Sequence, residues 1–278
     1  MIKRCIVTDS SCLLPGKLDT TSLPVLEINL SPTDHQFIVV NDHASSGKPR
    51  IVKQFSTQRL LTPETEYLYQ FFSRITDDYD DIFCVFLSSE LSLLYERAVK
   101  AANACKGSHK IHIVDSQNTA VGLGILVKTA HHEYELNNNP DETETIIRAR
   151  IPHTFTLLCT PDLVTLRAND LIDSSQAIIG EMIGFHSIFG IEEGLLTSLD
   201  KAKSPQLALD LFFEFISEFE KLEHIVFISP KDQQDYDLSI LKEQASALFP
   251  TVPFCEIPAN SSFSTLWGKK AFGIVVEE

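Results

Sequence analysis

The sequence predicts an α/β fold of two domains, the first built on a mainly parallel sheet. Short apolar runs of strand length alternate with amphipathic segments of helix length, the order that lays helices on a parallel sheet. A polar, breaker-rich stretch, Asn137-Asn138-Asn139-Pro140-Asp141, interrupts that order near the middle and reads as a linker. A boundary shortly after it divides the chain into residues 1–150 and 151–278. With 278 residues, 44% hydrophobic and 22% charged, the chain has the length and composition of a globular protein with a sizeable core.

The strands expected in the first half are Arg4–Thr8, Val25–Leu30, Ile82–Leu87 and Ile111–Val114. Those in the second half are Phe155–Cys159, Ser187–Ile191, Ile225–Ser229, Phe254–Ile257 and Gly273–Val276. Thr62–Arg74 reads as a helix, with Thr62 as N-cap, Pro63 at the first helical position and Glu64 and Glu66 in the first turn. Ser92–Cys105, Ala120–Leu136, Pro205–Glu220 and Asp232–Leu248 read as further helices. His43–Arg50 is polar and breaker-rich and reads as an exposed loop.

Charge narrows the function. Twenty-three basic and 38 acidic side chains give a net charge of −15, which argues against nucleic acid as a partner and against a polybasic grip on a membrane. No apolar run approaches the roughly 18 residues a spanning helix needs, so stable membrane insertion is not expected. The six cysteines form no CxxC pair and show no zinc-ligand spacing, and most lie in apolar runs such as Phe83-Cys84-Val85-Phe86. A reducing cytoplasm is the expected compartment, with no metal or cofactor.

Several segments invite chemistry and read better as structure. Gly122-Leu123-Gly124 resembles the start of a dinucleotide loop, but Val127 stands where the third glycine belongs and the segment lies inside a helix; close helix packing is the expectation. His131 and Glu135 are one helical turn apart without a third ligand, and Asp77-Asp78-Tyr79-Asp80-Asp81 reads as a solvated turn.

Three strand ends stand out as a set. Ile6-Val7-Thr8 runs into Asp9-Ser10-Ser11, Phe86-Leu87 into Ser88-Ser89-Glu90-Leu91-Ser92, and Ile113-Val114 into Asp115-Ser116-Gln117-Asn118-Thr119. In open α/β sheets ligands bind beyond the carboxyl ends of strands, where helix N-termini favour an anionic head. Ser10, Ser92 and Thr119 are equally open to a reading as helix caps.

These residues resemble the DegV family of bacterial fatty-acid-binding proteins, which includes the binding subunits of fatty acid kinases. Asp9-Ser10-Ser11, Ser88-Ser89-Glu90-Leu91-Ser92 with Tyr95 and Ala98, and Asp115-Ser116 with Gly122 and Gly124 match its motifs in order and spacing. The resemblance implies two α/β domains with a ligand cleft between them and a long-chain fatty acid held there as ligand. Its carboxylate would be bonded by hydroxyls, which the resemblance carries onto Ser92 and onto Ser56 or Thr57. Ser10, Leu93, Leu94, Thr119, His186 and Leu266 are the other residues expected to line the pocket, and Phe37, Phe86, Met182, Phe185 and Phe189 are candidates for an acyl tunnel. A separate fatty acid kinase catalytic subunit is the implied protein partner.

The departures from the family pattern fall at the same site. Leu93-Leu94 replaces Gly-Thr, Leu171 stands where the family keeps an arginine, and Leu266 where it keeps a histidine, with His186 the candidate to substitute. The leading reading is a non-catalytic carrier, while Leu93, Leu94 and Leu266 favour the alternative given below. A sixteen-carbon acid would bury about 15 carbons at roughly 0.8 kcal/mol each, a gross term of ~12 kcal/mol before ordering costs. The alternative is a divergent DegV-like chain that serves as a protein-interaction module or takes another ligand. A serine hydrolase is a third reading, weakened because none of the three motifs contains a histidine.

Overall fold

The computed structural model describes residues 2–21, 23–41, 50–136, 139–177, 184–232 and 235–278. In chain order the first half contains β1 (Arg4–Asp9), β2 (Val25–Ile28), β3 (Ser31–Asn41), β4 (Arg50–Leu61), α1 (Thr65–Asp78), β5 (Asp81–Phe86), α2 (Leu94–Ala104), β6 (Ile111–Asp115), α3 (Ala120–Glu135) and α4 (Pro140–Arg150). The second half contains β7 (Thr154–Thr160), α5 (Leu163–Ala168), β8 (His186–Glu192), β9 (Leu195–Ala202), α6 (Pro205–Ser217), β10 (His224–Ser229), α7 (Leu238–Leu248), β11 (Phe254–Pro258), α8 (Ser261–Trp267) and β12 (Phe272–Glu277).

β1 and β5 are apolar without alternation because both faces of their sheet are covered. They form the centre of a wholly parallel sheet in the order β2-β1-β5-β6. The second sheet, β11-β10-β12-β7-β8-β9, departs from the parallel pattern: only β10 and β11 pair parallel. Its apolar runs look like those of the first sheet because it too is covered on both faces. Leu158, Val226, Ile228 and Val275 join the larger core with the first sheet, while Leu157, Cys159, Phe227, Ile274 and Val276 point to the smaller core with α6 and α7. Between the two sheets lies α3, which touches β1, β5, β7 and β12 and is buried nearly all round. Its glycines permit that fit. A Cβ on Gly122 would stand 2.1 Å from the Asn118 side chain, and one on Gly124 2.0 Å from the Leu13 carbonyl, so the packing reading of this segment holds.

Three local expectations change. The helix placed at Thr62 begins at Thr65, because the Thr62 hydroxyl pairs with Ser92 and Arg97 takes the carbonyls of Thr62 and Pro63. The stretch read as a linker starts α4: Asn139 and Glu142 form a reciprocal capping box behind Pro140. Linkers and helix starts use the same residue types, which is why the two were confused. The run at Asp77–Asp81 is solvated only in part, since Asp81 is buried under Tyr134 and Arg4 (2.9 and 3.4 Å). Of the loop read at 43–50, residues 43–49 lie outside the described residues and Arg50 opens β4. The β3–β4 hairpin and β9 were not assigned from sequence; the exposed, polar side of β9 shows no apolar periodicity.

Candidate functional site

β1 has β2 on one side and β5 on the other, so the strand order reverses between β1 and β5, where open α/β sheets usually bind ligands. Here that point is occupied by the chain. The Asp9 carboxylate is fully buried and accepts from Leu87 N–H (2.8 Å), Ser11 N–H (2.9 Å) and the Ser11 hydroxyl (2.5 Å). Burial raises its pKa and these three bonds oppose the rise. Ser88 donates to the Gly194 carbonyl (2.8 Å), and Gly194, at φ +85°, leaves room for no side chain against Ser88. The β8–β9 turn thereby covers the end of β5. Ser89 donates to Asp115 (2.5 Å), and Asn118 bridges the carbonyl of Thr154 and the hydroxyl of Thr156.

Ser10 is used in the same way, accepting from Leu30 N–H (2.9 Å) and sharing a hydrogen bond with Ser262 of α8 (2.9 Å). Thr119 is buried and its hydroxyl has no hydrogen-bond partner among the described residues. Neither lines the cavities described next.

Two cavities lie along β4, separated by α5 and α8. The smaller, about 360 Å³, is lined by the far end of β4 and by the segments around Ser92 and Asn169. Seven leucines line it, among them Leu87, Leu91, Leu171 and Leu266. Its head is polar: Ser92 Oγ and Thr62 Oγ1 are 2.9 Å apart, and Ser92 also accepts from Leu94 N–H (3.2 Å). Arg59, Arg97, Glu64, Glu90 and Asp170 put charges of both signs on its lining. Leu171 and Leu266, where the sequence resemblance expected an arginine and a histidine, both belong to this apolar wall. Leu93 stands exposed at the mouth, whereas Leu94 is fully buried core and reaches neither cavity.

The larger cavity, about 600 Å³, is mixed, with Pro161, Leu163 and Val164 giving it an apolar side. Ser56, Thr57 and Gln58 line it with Thr165, Ser264, Asp232, Lys269 and Lys270, and Thr57 shares a 3.1 Å hydrogen bond with Thr165. The structure therefore brings Ser92 together with Thr62 and does not bring it to Ser56 or Thr57. Thr57 and Thr62 are separated by five strand steps, about 17 Å of extended chain. Thr62 was missed as a site residue because a Thr before Pro-Glu reads as a helix cap. The signal that could have found it is its place at the end of a strand facing Ser92.

Asn169 is the tie at the partition: it accepts from Leu60 N–H (2.9 Å) and donates to the carbonyls of Thr165 and Thr265 (both 2.9 Å). His186, the expected substitute for the missing histidine, lines neither cavity. Its Nδ1 is buried without a hydrogen-bond partner among the described residues, and burial, then the charge of Lys270, lowers its pKa. Phe86 and Phe189 are core, Phe185 lines neither cavity, and the Phe37 side chain and Met182 lie outside the described residues. His131 sits against the Leu23 carbonyl (3.2 Å) and Glu135 (3.6 Å) as a core histidine.

One further cluster, Glu223, His224 and Glu277, brings three potential metal ligands together. Arg150 already fills it, 2.7 Å from Glu277 and 3.6 Å from Glu223, with His224 2.8 Å from Glu277. A guanidinium in that position does not suit a divalent cation. No helix among the described residues is long and apolar enough to cross a membrane.

Known proteins resemble this chain in architecture and in sequence. The chain is 26% identical over 283 residues to a DegV domain-containing protein of Clostridium acetobutylicum, covering 99% of this chain and 98% of that one. The structure of a fatty-acid-binding DegV family protein from Thermus thermophilus superposes with a TM-score of 0.74, at 18% identity over the whole of both chains. The Streptococcus pneumoniae Fatty Acid Kinase (Fak) B3 protein loaded with linoleic acid gives 0.76, at 17% identity over 99% of each chain. At such identities the likeness to the solved structures is one of fold. The family model described as "Uncharacterised protein, DegV family" matches residues 3–278, and on that match the chain belongs to the DegV family.

Proposed function

We propose that this protein holds a long-chain fatty acid without altering it, the carboxylate on Ser92 and Thr62 and the chain against the leucine wall of the smaller cavity. The observation that carries this reading is the hydroxyl pair, 2.9 Å apart, in a cavity that seven leucines and nine polar or charged residues line. A carboxylate accepts from both hydroxyls, and such charge-assisted bonds are about twice as strong as neutral ones. The cavity volume falls in the ~300–1,000 Å³ range of small-molecule sites. Relatives of the same fold support the ligand class, since one binds fatty acid and another carries linoleic acid. A non-catalytic role fits the partners of Ser92, which are Thr62 and a backbone N–H rather than a histidine. Support for presenting the acid to a fatty acid kinase comes from the Streptococcus pneumoniae relative.

We also propose that the chain divides near residue 150, supported by the first sheet and its helices preceding that point and the second sheet following it. A second reading, a protein-interaction surface, is favoured by Leu61 and Leu93, both about half exposed at the cavity mouth. Native mass spectrometry of freshly purified protein, with chloroform extraction of whatever dissociates, separates the two. A stoichiometric fatty acid that is absent from Ser92→Ala supports the carrier. An empty protein that ignores added palmitate and oleate defeats it.

A further inference from the structure

We infer that Arg97 makes the Ser92 cavity selective for anionic over neutral lipid heads; the inference rests on the fatty-acid reading above. Arg97 rises from the first turn of α2 and holds Thr62, the residue whose hydroxyl meets Ser92. Its NH1 donates to the carbonyls of Thr62 (2.9 Å) and Pro63 (3.1 Å) and pairs with Glu64 (3.2 Å). All three contacts use one nitrogen. Nε and NH2, with three more N–H donors between them, have no partner among the described residues. The guanidinium is thus fixed by one arm beside the hydroxyl pair, with the rest of the fork uncommitted.

Two cations, Arg59 and Arg97, and three carboxylates, Glu64, Glu90 and Asp170, line the cavity, and the carboxylates are the more exposed. The Arg97 side chain is 23% exposed, while that of its counter-ion Glu64 is 79% exposed and screened by solvent. Arg59, the other cation of the cavity, is paired at 2.8 Å with Asp170, and Glu90 is exposed at the rim. Two hydroxyls favour a carboxylate over an alcohol only through the added strength of charge-assisted bonds, and they accept a neutral head as well. A half-buried guanidinium with open donors adds an interaction that only an anion can complete, and a neutral head leaves those donors unpaired.

The test titrates palmitate and 1-hexadecanol against the full chain at neutral pH, by displacement of a fluorescent fatty-acid analogue. Wild type is expected to prefer palmitate by about tenfold or more. Arg97→Gln should lower palmitate affinity about tenfold while hexadecanol affinity stays within about twofold, and Arg97→Lys should retain part of the preference. Equal weakening of both ligands in Arg97→Gln would overturn the inference, because it would show that Arg97 only supports the Thr62–Pro63 backbone. So would equal wild-type affinities. If wild type binds neither ligand, the fatty-acid reading fails and takes this one with it, a result distinct from binding both alike.

Discussion

At the carboxyl ends of β1, β5 and β6, the side chains of Asp9, Ser10, Ser88 and Asp115 are consumed by the chain itself; a few residues further on, Ser92 and Thr62 border a cavity. Both regions are built from serine, threonine and aspartate next to apolar strands. They differ in what surrounds the lone pairs. Asp9 is saturated by three donors, Ser88 is covered by the Gly194 turn and Ser10 is held between Leu30 and Ser262. Ser92 and Thr62 meet each other at the edge of open space. In this molecule the end of β1 has become an internal fastening between the two sheets, while the chain leaving β5, from Leu87 to Leu93, lines the cavity together with β4, residues 169–171 and Leu266. Residue type alone does not separate a fastening from a site; the neighbouring donors do.

The strongest way to break that comparison is to exchange the outcomes. Asp9→Ala leaves the N–H groups of Leu87 and Ser11 and the Ser11 hydroxyl buried without an acceptor, and such orphaned groups cost ~1–3 kcal/mol each. A loss of about 3 kcal/mol in urea unfolding is expected, after allowing for the relief of a buried carboxylate, with ligand affinity in the surviving folded protein little changed. Ser92→Ala should do the reverse: under ~1 kcal/mol of stability, for one N–H near the start of α2, but about a tenfold loss of fatty-acid affinity. If Asp9→Ala proves neutral in stability, or Ser92→Ala costs as much as Asp9→Ala, the two regions are not the different things described here.

The same contrast explains what was legible in the sequence. The parallel sheet was legible because β1 and β5 are uninterrupted apolar runs, and α3 because its length and glycines require close packing on both sides. The antiparallel order of the second sheet was not, since a strand covered on both faces reads alike in either direction. Ser92 could be picked out from its motif, whereas its partner could not. Thr62 looked like a cap, and only the fold of β4 across the start of α2 brings its hydroxyl to Ser92. Leu171 and Leu266, distant in sequence, turn out to share one apolar wall.

His186 sharpens the comparison from a third position, a buried polar atom that neither fastens nor faces a cavity. Burial and Lys270 hold its pKa below the ordinary 6.5, so below that pH the unfolded chain takes up the proton first. Stability should be complete above about pH 6.5 and fall as pH drops toward the lowered folded value. His186→Gln should remove that part of the acid loss, seen as a smaller decrease in urea midpoint between pH 7.5 and 5.5 than wild type shows. An unchanged pH dependence would mean that the ring is solvated in both states.

The smallest expected effect is the most discriminating. Ser56→Ala and Thr57→Val alter only the larger cavity beyond the partition, about 17 Å of strand away from Thr62. If the acid sits on Ser92 and Thr62, the double variant should bind palmitate within about twofold of wild type, because additivity holds for sites this far apart and neither residue touches the leucine wall. Thr57→Val breaks one hydroxyl contact to Thr165, whose own hydroxyl keeps its bond to Asp162 at 2.8 Å, so stability should change by less than ~1 kcal/mol. A tenfold loss of palmitate affinity in this variant would place the head in the larger cavity. It would also leave Ser92 as what its bond to Leu94 alone would make it, a helix-start hydroxyl like Ser204 of α6.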